Sequence, residues 1–160
     1  NTGTIDEKLL EKAISIAPDS FDVLYGVGTA YRFARKPLLA VGMYEKALNI
    51  APLAPTDTKL NYLRALIDSK KFRKAQSVSK EMMGSDKHSS YWGYLFLIYI
   101  KFENGQKDEA IRLYQEFSKM KQISLDEIIS EIKSYPWSWD VWYKLTLADN
   151  LIEVDKLSKN

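Results

Sequence analysis

The sequence predicts an all-α fold, a solenoid of paired helices, and three observations carry that prediction. Ala40, Ala75 and Ala110 stand 35 residues apart, and Ala13 and Ala47 repeat in a second register at 34. Each of the first three opens an apolar block at helical spacing: Ala40-Val41-x-x-Tyr44-x-x-Ala47, Ala75-x-x-Val78-x-x-x-Met82 and Ala110-Ile111-x-x-Tyr114-x-x-Phe117. Proline, glycine and capping residues fall between the blocks, and no stretch alternates as a strand does. A period of this length marks a helix–turn–helix unit that cannot bury its apolar face alone and must stack on the next. Small side chains recur because stacked helices approach closely there.

The elements follow in order. Ile5 to Ile16 carries Ile5, Leu9, Leu10, Ala13 and Ile14 on one helical face and stops at Pro18. Asp19-Ser20 caps the next helix, Phe21 to Phe33, which Lys36-Pro37 breaks because proline lacks the amide donor and clashes with the preceding turn. Leu38 to Ile50 is the third helix, closed by Ala51-Pro52, and Pro55-Thr56-Asp57 opens a fourth running to about Ser69. Phe72 to Met83 is the fifth, followed by a polar loop at Gly84 to Lys87. Tyr91 to Phe102 and Asp108 to Met120 are the sixth and seventh, separated by Asn104-Gly105. Ser124-x-x-Glu127 is a capping box that opens an eighth helix to Tyr135, and the last runs from Trp137 or Ser138 to about Leu151.

Composition bounds the function. A chain of 160 residues is long enough for a real core as one domain, and 46% hydrophobic with 28% charged residues is ordinary for a globular protein. No apolar run is long enough to span a membrane; the longest, Tyr91 to Tyr99, ends at Lys101. There is no cysteine, so disulfide and thiolate chemistry are excluded while the redox compartment stays open; the cytoplasm is the expected location. The chain begins at Asn1 rather than Met, as expected of a processed product or a piece of a longer one, so any targeting segment would already be gone. The net charge of +2 does not argue for nucleic acid, but residues 1–80 hold 13 Lys/Arg against 8 Asp/Glu. Much of that excess lies in Arg64, Lys70, Lys71, Arg73 and Lys74, read either as a solvated helix–helix turn or as a contact for an acidic partner.

Residues 21–52 resemble the tetratricopeptide repeat (TPR). Leu24-x-x-Val27-Gly28-x-x-Tyr31 matches its first helix, and Ala40-x-x-x-Tyr44-x-x-Ala47 followed by Pro52 matches its second. Residues 5–17 are similar to the closing half of an earlier repeat, and residues 56–87 to a degenerate one in which Leu63 and Leu66 replace the glycine and tyrosine. Residues 91–122 keep Gly105, Ala110, Tyr114 and Phe117, while residues 124–152 break the rhythm as irregular capping helices. Tyr99-Ile100-Lys101-Phe102-Glu103 also resembles the half-a-TPR repeats of RNA-processing scaffolds. The resemblance implies a single domain, a superhelix of about three repeats with an irregular C-terminal extension.

Nothing points to catalysis or to a cofactor. His88 is the single histidine and falls in the predicted Lys87–Ser90 linker. No His/Cys/carboxylate set has metal-ligand spacing, and Asp108-Glu109 and Asp126-Glu127 sit in first helical turns, where the helix dipole favours them. The chain is therefore expected not to be an enzyme. The TPR likeness implies a scaffold that binds a polypeptide on the concave face lined by the first helices. With Leu24, Val27 and Tyr31 phased as core, that face takes Tyr25 and Arg32 from the first repeat, Asn61 and Arg64 from the second, and Trp92, Phe96, Tyr99 and Phe102 from the third. The third set is unusually apolar for a surface. It forms either an exposed interaction patch, open also to self-association, or core beneath the extra helix Leu125 to Tyr135.

The carboxylate clamp of TPR co-chaperones is not expected, because of its positions only Asn61 agrees; Asp22, Gly26, Trp92 and Phe96 do not. Trp139, Trp142 and Tyr143 share a helical face and read as an end cap or, alternatively, a protein contact. Ile128 and Ile132 of the extra helix are expected to pack on the third-repeat aromatic face or on that tryptophan face. The expected partner is thus another protein or peptide segment, with no membrane and no nucleic acid. An RNA-processing scaffold meeting RNA through the basic middle repeat is the alternative.

Overall fold

The computed structural model describes residues 5–135 and 141–160, with the backbone alone at 141 and 142. The described chain is all-helical. Its helices are α1 (Glu7–Ile16), α2 (Phe21–Phe33), α3 (Pro37–Ile50), α4 (Thr56–Asp68), α5 (Phe72–Met83), α6 (Lys87–Glu103), α7 (Lys107–Lys121), α8 (Leu125–Ser134) and α9 (Val141–Ser158). It divides into two compact units, Asn1–Val78 and Ser79–Asn160, at a boundary within α5.

In the first unit α2 packs along α3, α3 along α4, and α1 on α2. Ser20 caps α2, its hydroxyl accepting the Val23 amide, and Pro37 stands in the first turn of α3, where its missing amide costs nothing. The α2–α3 contact is close because Gly28 has no side chain: a Cβ there would lie 2.9 Å from the Tyr44 ring and 3.2 Å from Met43 Cβ. Tyr44, Ala40, Ala47 and Leu24 are fully buried at this contact or next to it, and Ala75 is buried too. Ala13 is only half-buried, and Leu9 and Ile16 of α1 remain exposed.

In the second unit α6 is enclosed on several sides. It packs on α7 and α9, and Gly93 approaches the end of α5 so closely that a Cβ would lie 2.8 Å from the Met83 amide nitrogen and the Ser79 carbonyl oxygen. From Ser89 to Lys101 nearly every side chain is buried, as a helix apolar on all faces requires. Ala110 is fully buried on α7, as stacking predicts. α9 packs on α6, α7 and α8, and Ile128 and Ile132 of α8 are fully buried. The extra helix is therefore neither solvent-exposed nor half of a regular pair with α7; its partner is α9.

Two boundaries lie four residues or more from the sequence reading. α6 begins at Lys87 rather than Tyr91, because Asp86 accepts the His88 and Ser89 amides, both at 3.0 Å, and starts the helix early. His88 is accordingly in a first helical turn and not in a linker. α9 continues to Ser158, well past Leu151. Trp137 and Trp139, and the side chain of Trp142, lie outside the described residues, so the tryptophan face is represented by Tyr143 alone, which is buried.

One local structure recurs at the period of the alanines. The turns after α2, α4 and α6 place Arg35, Lys70 and Gly105 in the left-handed region, with φ of 57°, 58° and 76°. In each turn that residue donates its amide to a carbonyl three residues back (Arg32, Ile67, Phe102) at 2.9–3.0 Å. The following residue donates five residues back (Tyr31, Leu66, Lys101) at 2.8–2.9 Å. This is the Schellman pattern, and here it links the two helices of each pair. The carbonyls of Lys36, Lys71 and Gln106 then accept from Ala40, Ala75 and Ala110, so turn and alanine form one repeated unit.

Candidate interaction surfaces

The residues expected on an inner face fall into two groups. In the first unit they come together. Arg64 donates to the Asn61 side-chain oxygen and, through Nε, to the Leu60 carbonyl at 3.3 Å, while Asn61 donates to the Tyr25 hydroxyl. The Tyr25 ring stands 5.8 Å from Tyr44, whose hydroxyl shares a 3.1 Å hydrogen bond with Thr29. Burial, which exceeds the opposing effects of Thr29 and Arg32, raises the Tyr44 pKa. Arg32 also lies over the Phe33 ring at 4.8 Å. The helical phase that grouped Tyr25, Asn61 and Arg64 is thus realised, but Arg32, Asn61 and Arg64 are buried and Tyr25 is half-buried. This is an internal polar network with one partly open edge. Arg64 therefore does not belong to the exposed basic cluster in which the sequence placed it.

In the second unit, of the two readings of the aromatic set, exposed patch or core, the burial fits core. Trp92 is 2% exposed, Phe96 0% and Tyr99 6%; Phe102 is half-buried, with Lys107 5.6 Å from its ring. The physical reason is cover from the C-terminal helices. α9 packs on α6, Asn150 donates to Glu103 at 3.2 Å, and Tyr135 at the end of α8 meets Trp92 edge-on at 4.6 Å. A buried face is also closed to self-association.

Beside that contact lies a cleft of about 420 Å³ lined by His88, Tyr91, Trp92, Lys121, Glu131 and Tyr135 among others. His88 Nε2 is 3.3 Å from the Tyr135 hydroxyl and their rings stack. Burial, with the Glu131 carboxylate adding to it, pushes the Tyr91 pKa up. The sequence reading missed this cleft because it took His88 for a loop residue; Asp86, three residues before Ser89, was the signal.

Among the described residues, the carboxylates with displaced pKa values are held down rather than raised. Asp86 falls from 3.8 to about 2, chiefly through the Ser89 hydroxyl and amide, and Glu127 falls through the Ser124 amide and hydroxyl of its capping box. Glu109 falls through its 2.7 Å ion pair with Lys101. Burial alone would raise Glu45, but hydrogen bonds from Lys74 and Tyr62 outweigh it. Each of these groups stabilises a cap or a helix contact. No set of three His, Cys, Asp or Glu among the described residues could hold a metal ion.

The exposed large apolar side chains of the first unit include Leu38 at 60% and Leu39 at 46% exposed. Both line a groove of about 530 Å³ with Arg35, Lys36, Asp68 and Lys70, between the start of α3 and the end of α4. A second groove lined by Lys70, Lys71, Phe72, Arg73 and Lys74 adjoins it through Lys70.

No protein-family model matches the chain, and a search of curated proteins finds no similar one. No described helix is long and apolar enough to cross a membrane.

Proposed function

We propose that the chain is a TPR-type helical-repeat scaffold that binds a polypeptide and performs no chemistry of its own. The observation that carries this reading is the repeated unit of left-handed turn and buried alanine at 35-residue spacing. The Gly28–Tyr44 close approach, made by the glycine and tyrosine on which the family likeness rests, supports it further. Such arrays gain stability from neighbour stacking, which leaves their solvent faces free to vary for binding. The depressed carboxylates support the non-catalytic part: a general acid near neutral pH needs a raised pKa, and these are lowered. Of the residues expected on the inner face, Tyr25 and Phe102 keep partial solvent access. The RNA-binding alternative is supported by the exposed Lys70, Lys71, Arg73 and Lys74.

Selection of peptides from a random display pool on the intact chain tests the reading. Peptides selected this way should lose less affinity between about 50 and about 200 mM salt than oligouridine, whose repeated phosphate contacts give a steep slope. Failure to enrich any peptide, together with steep salt-dependent binding of oligouridine, replaces the polypeptide reading with the RNA one.

A further inference from the structure

We infer that the turn edge of the first unit, centred on Arg35 and Lys70, docks an acidic polypeptide segment that also carries apolar side chains. The inference rests on the polypeptide-binding reading and adds the surface used and the chemistry of the partner.

Arg35 and Lys70 occupy equivalent positions in successive turns; both are exposed and in the left-handed region, and among the described residues neither is seen in an ion pair. An L side chain is strained in that region, and glycine is the residue that relieves it. The third equivalent position holds glycine, Gly105, so the turn itself does not need a cation. Two long basic side chains kept where glycine would fold more easily indicate a use for the charge.

The surroundings define that use. Arg35 and Lys70 line one groove with Leu38 and Leu39, and the adjoining groove adds Lys71 and Arg73. Lys36 and Lys74 are engaged by Glu7 and Glu45, and among the described residues Asp68 is the single carboxylate lining either groove. The result is a cationic rim over two exposed leucines. A segment with carboxylates flanking an apolar residue fits it: the guanidinium of Arg35 takes one carboxylate in a fork, Lys70 a second, and the apolar side chain covers Leu38 and Leu39. Protein is favoured over RNA because the exposed apolar groups beside the cations are the leucines Leu38 and Leu39, which match an apolar side chain, while Phe72, the aromatic ring lining the adjoining groove, is half-buried.

The test is fluorescence anisotropy with the full chain and a labelled short peptide of alternating glutamate and leucine. The expected result is binding that Arg35→Gly/Lys70→Gly weakens by about tenfold or more, with a melting temperature unchanged or higher. A peptide with glutamine in place of glutamate, and one with serine in place of leucine, should each bind more weakly. Equal binding by the double variant or of the glutamine peptide overturns the proposal, as does tighter binding of oligouridine. So does dimerisation of the free chain, by light scattering, that the same variant abolishes. If display-selected peptides bind the wild type and the double variant alike, this surface is wrong while the scaffold reading stands.

Discussion

The first and second units use the same turn for opposite ends. In the second unit Gly105 makes the turn without strain, and α6 before it is enclosed by α7, α9 and the end of α5, its aromatic side chains inside. In the first unit the equivalent turns carry Arg35 and Lys70 at a conformational cost, and Leu38 and Leu39 are left in solvent beside them. The second unit thus puts its apolar surface into stability. The first keeps apolar and charged groups outside, at positions where folding alone would choose otherwise. Richness in aromatic side chains marks core in the second unit, whereas the exposed groups at the turns of the first unit are leucines and cations.

The sharpest contrast is predicted between Phe96→Ala and Leu38→Ala. Phe96 is fully buried, so its truncation should cost about 3–5 kcal/mol of unfolding free energy in denaturant titration. Leu38→Ala should change stability by no more than about 0.5 kcal/mol. Similar losses for both would erase the distinction between the units.

Next in size is Ala110→Leu. The side chain is fully buried where the Gln106 carbonyl accepts the Ala110 amide at the start of α7, so extra bulk should cost about 1–3 kcal/mol by overpacking. An unchanged melting temperature would show that the recurring alanine is not needed for close packing.

Smaller effects probe the turns. Arg35→Gly and Lys70→Gly should each stabilise the chain by about 1 kcal/mol, and Gly105→Arg should destabilise it by a similar amount. A loss of stability in both glycine variants would show that the two cations serve the fold.

The smallest effect concerns pH. Asp86 has its folded pKa depressed from 3.8 to about 2, so its contribution to stability is fully present above 3.8 and is lost as pH falls through about 2. In Asp86→Asn the amide oxygen can still cap α6, and this component of the acid-induced loss should disappear. Identical acid-unfolding curves for the two proteins would assign no such role to Asp86.

Much of the fold could be read in advance because its signals are local. The Ser124–Glu127 capping box, Pro37 and the alanine period each act within a few residues or along one helix, and they placed α2, α3, α7 and α8 closely. The orientation of α6 could not be read from phase. A helix with Trp92, Leu95, Phe96 and Tyr99 on one side and Leu97, Ile98 and Ile100 on others has no outward face to assign, and only its neighbours decide what is covered. Helical phase assigns Tyr25, Asn61 and Arg64 to one expected face, but their hydrogen-bonded network and the burial of Asn61 and Arg64 depend on packing that periodicity does not report. The turn cations were hidden for a different reason. Arg and Lys carry no turn signal of their own; only counting back 35 residues from Gly105, and 35 again, points to Lys70 and Arg35.

We propose binding at the turn edge of the first unit and not at the aromatic helix of the second. An amide chemical-shift titration of the intact chain with the glutamate–leucine peptide tests it most directly. The expected shifts concentrate at Arg35, Leu38, Leu39, Lys70 and Lys71, with residues 92–102 unchanged. Shifts centred on Trp92, Phe96 and Tyr99, with the turn residues silent, would contradict it.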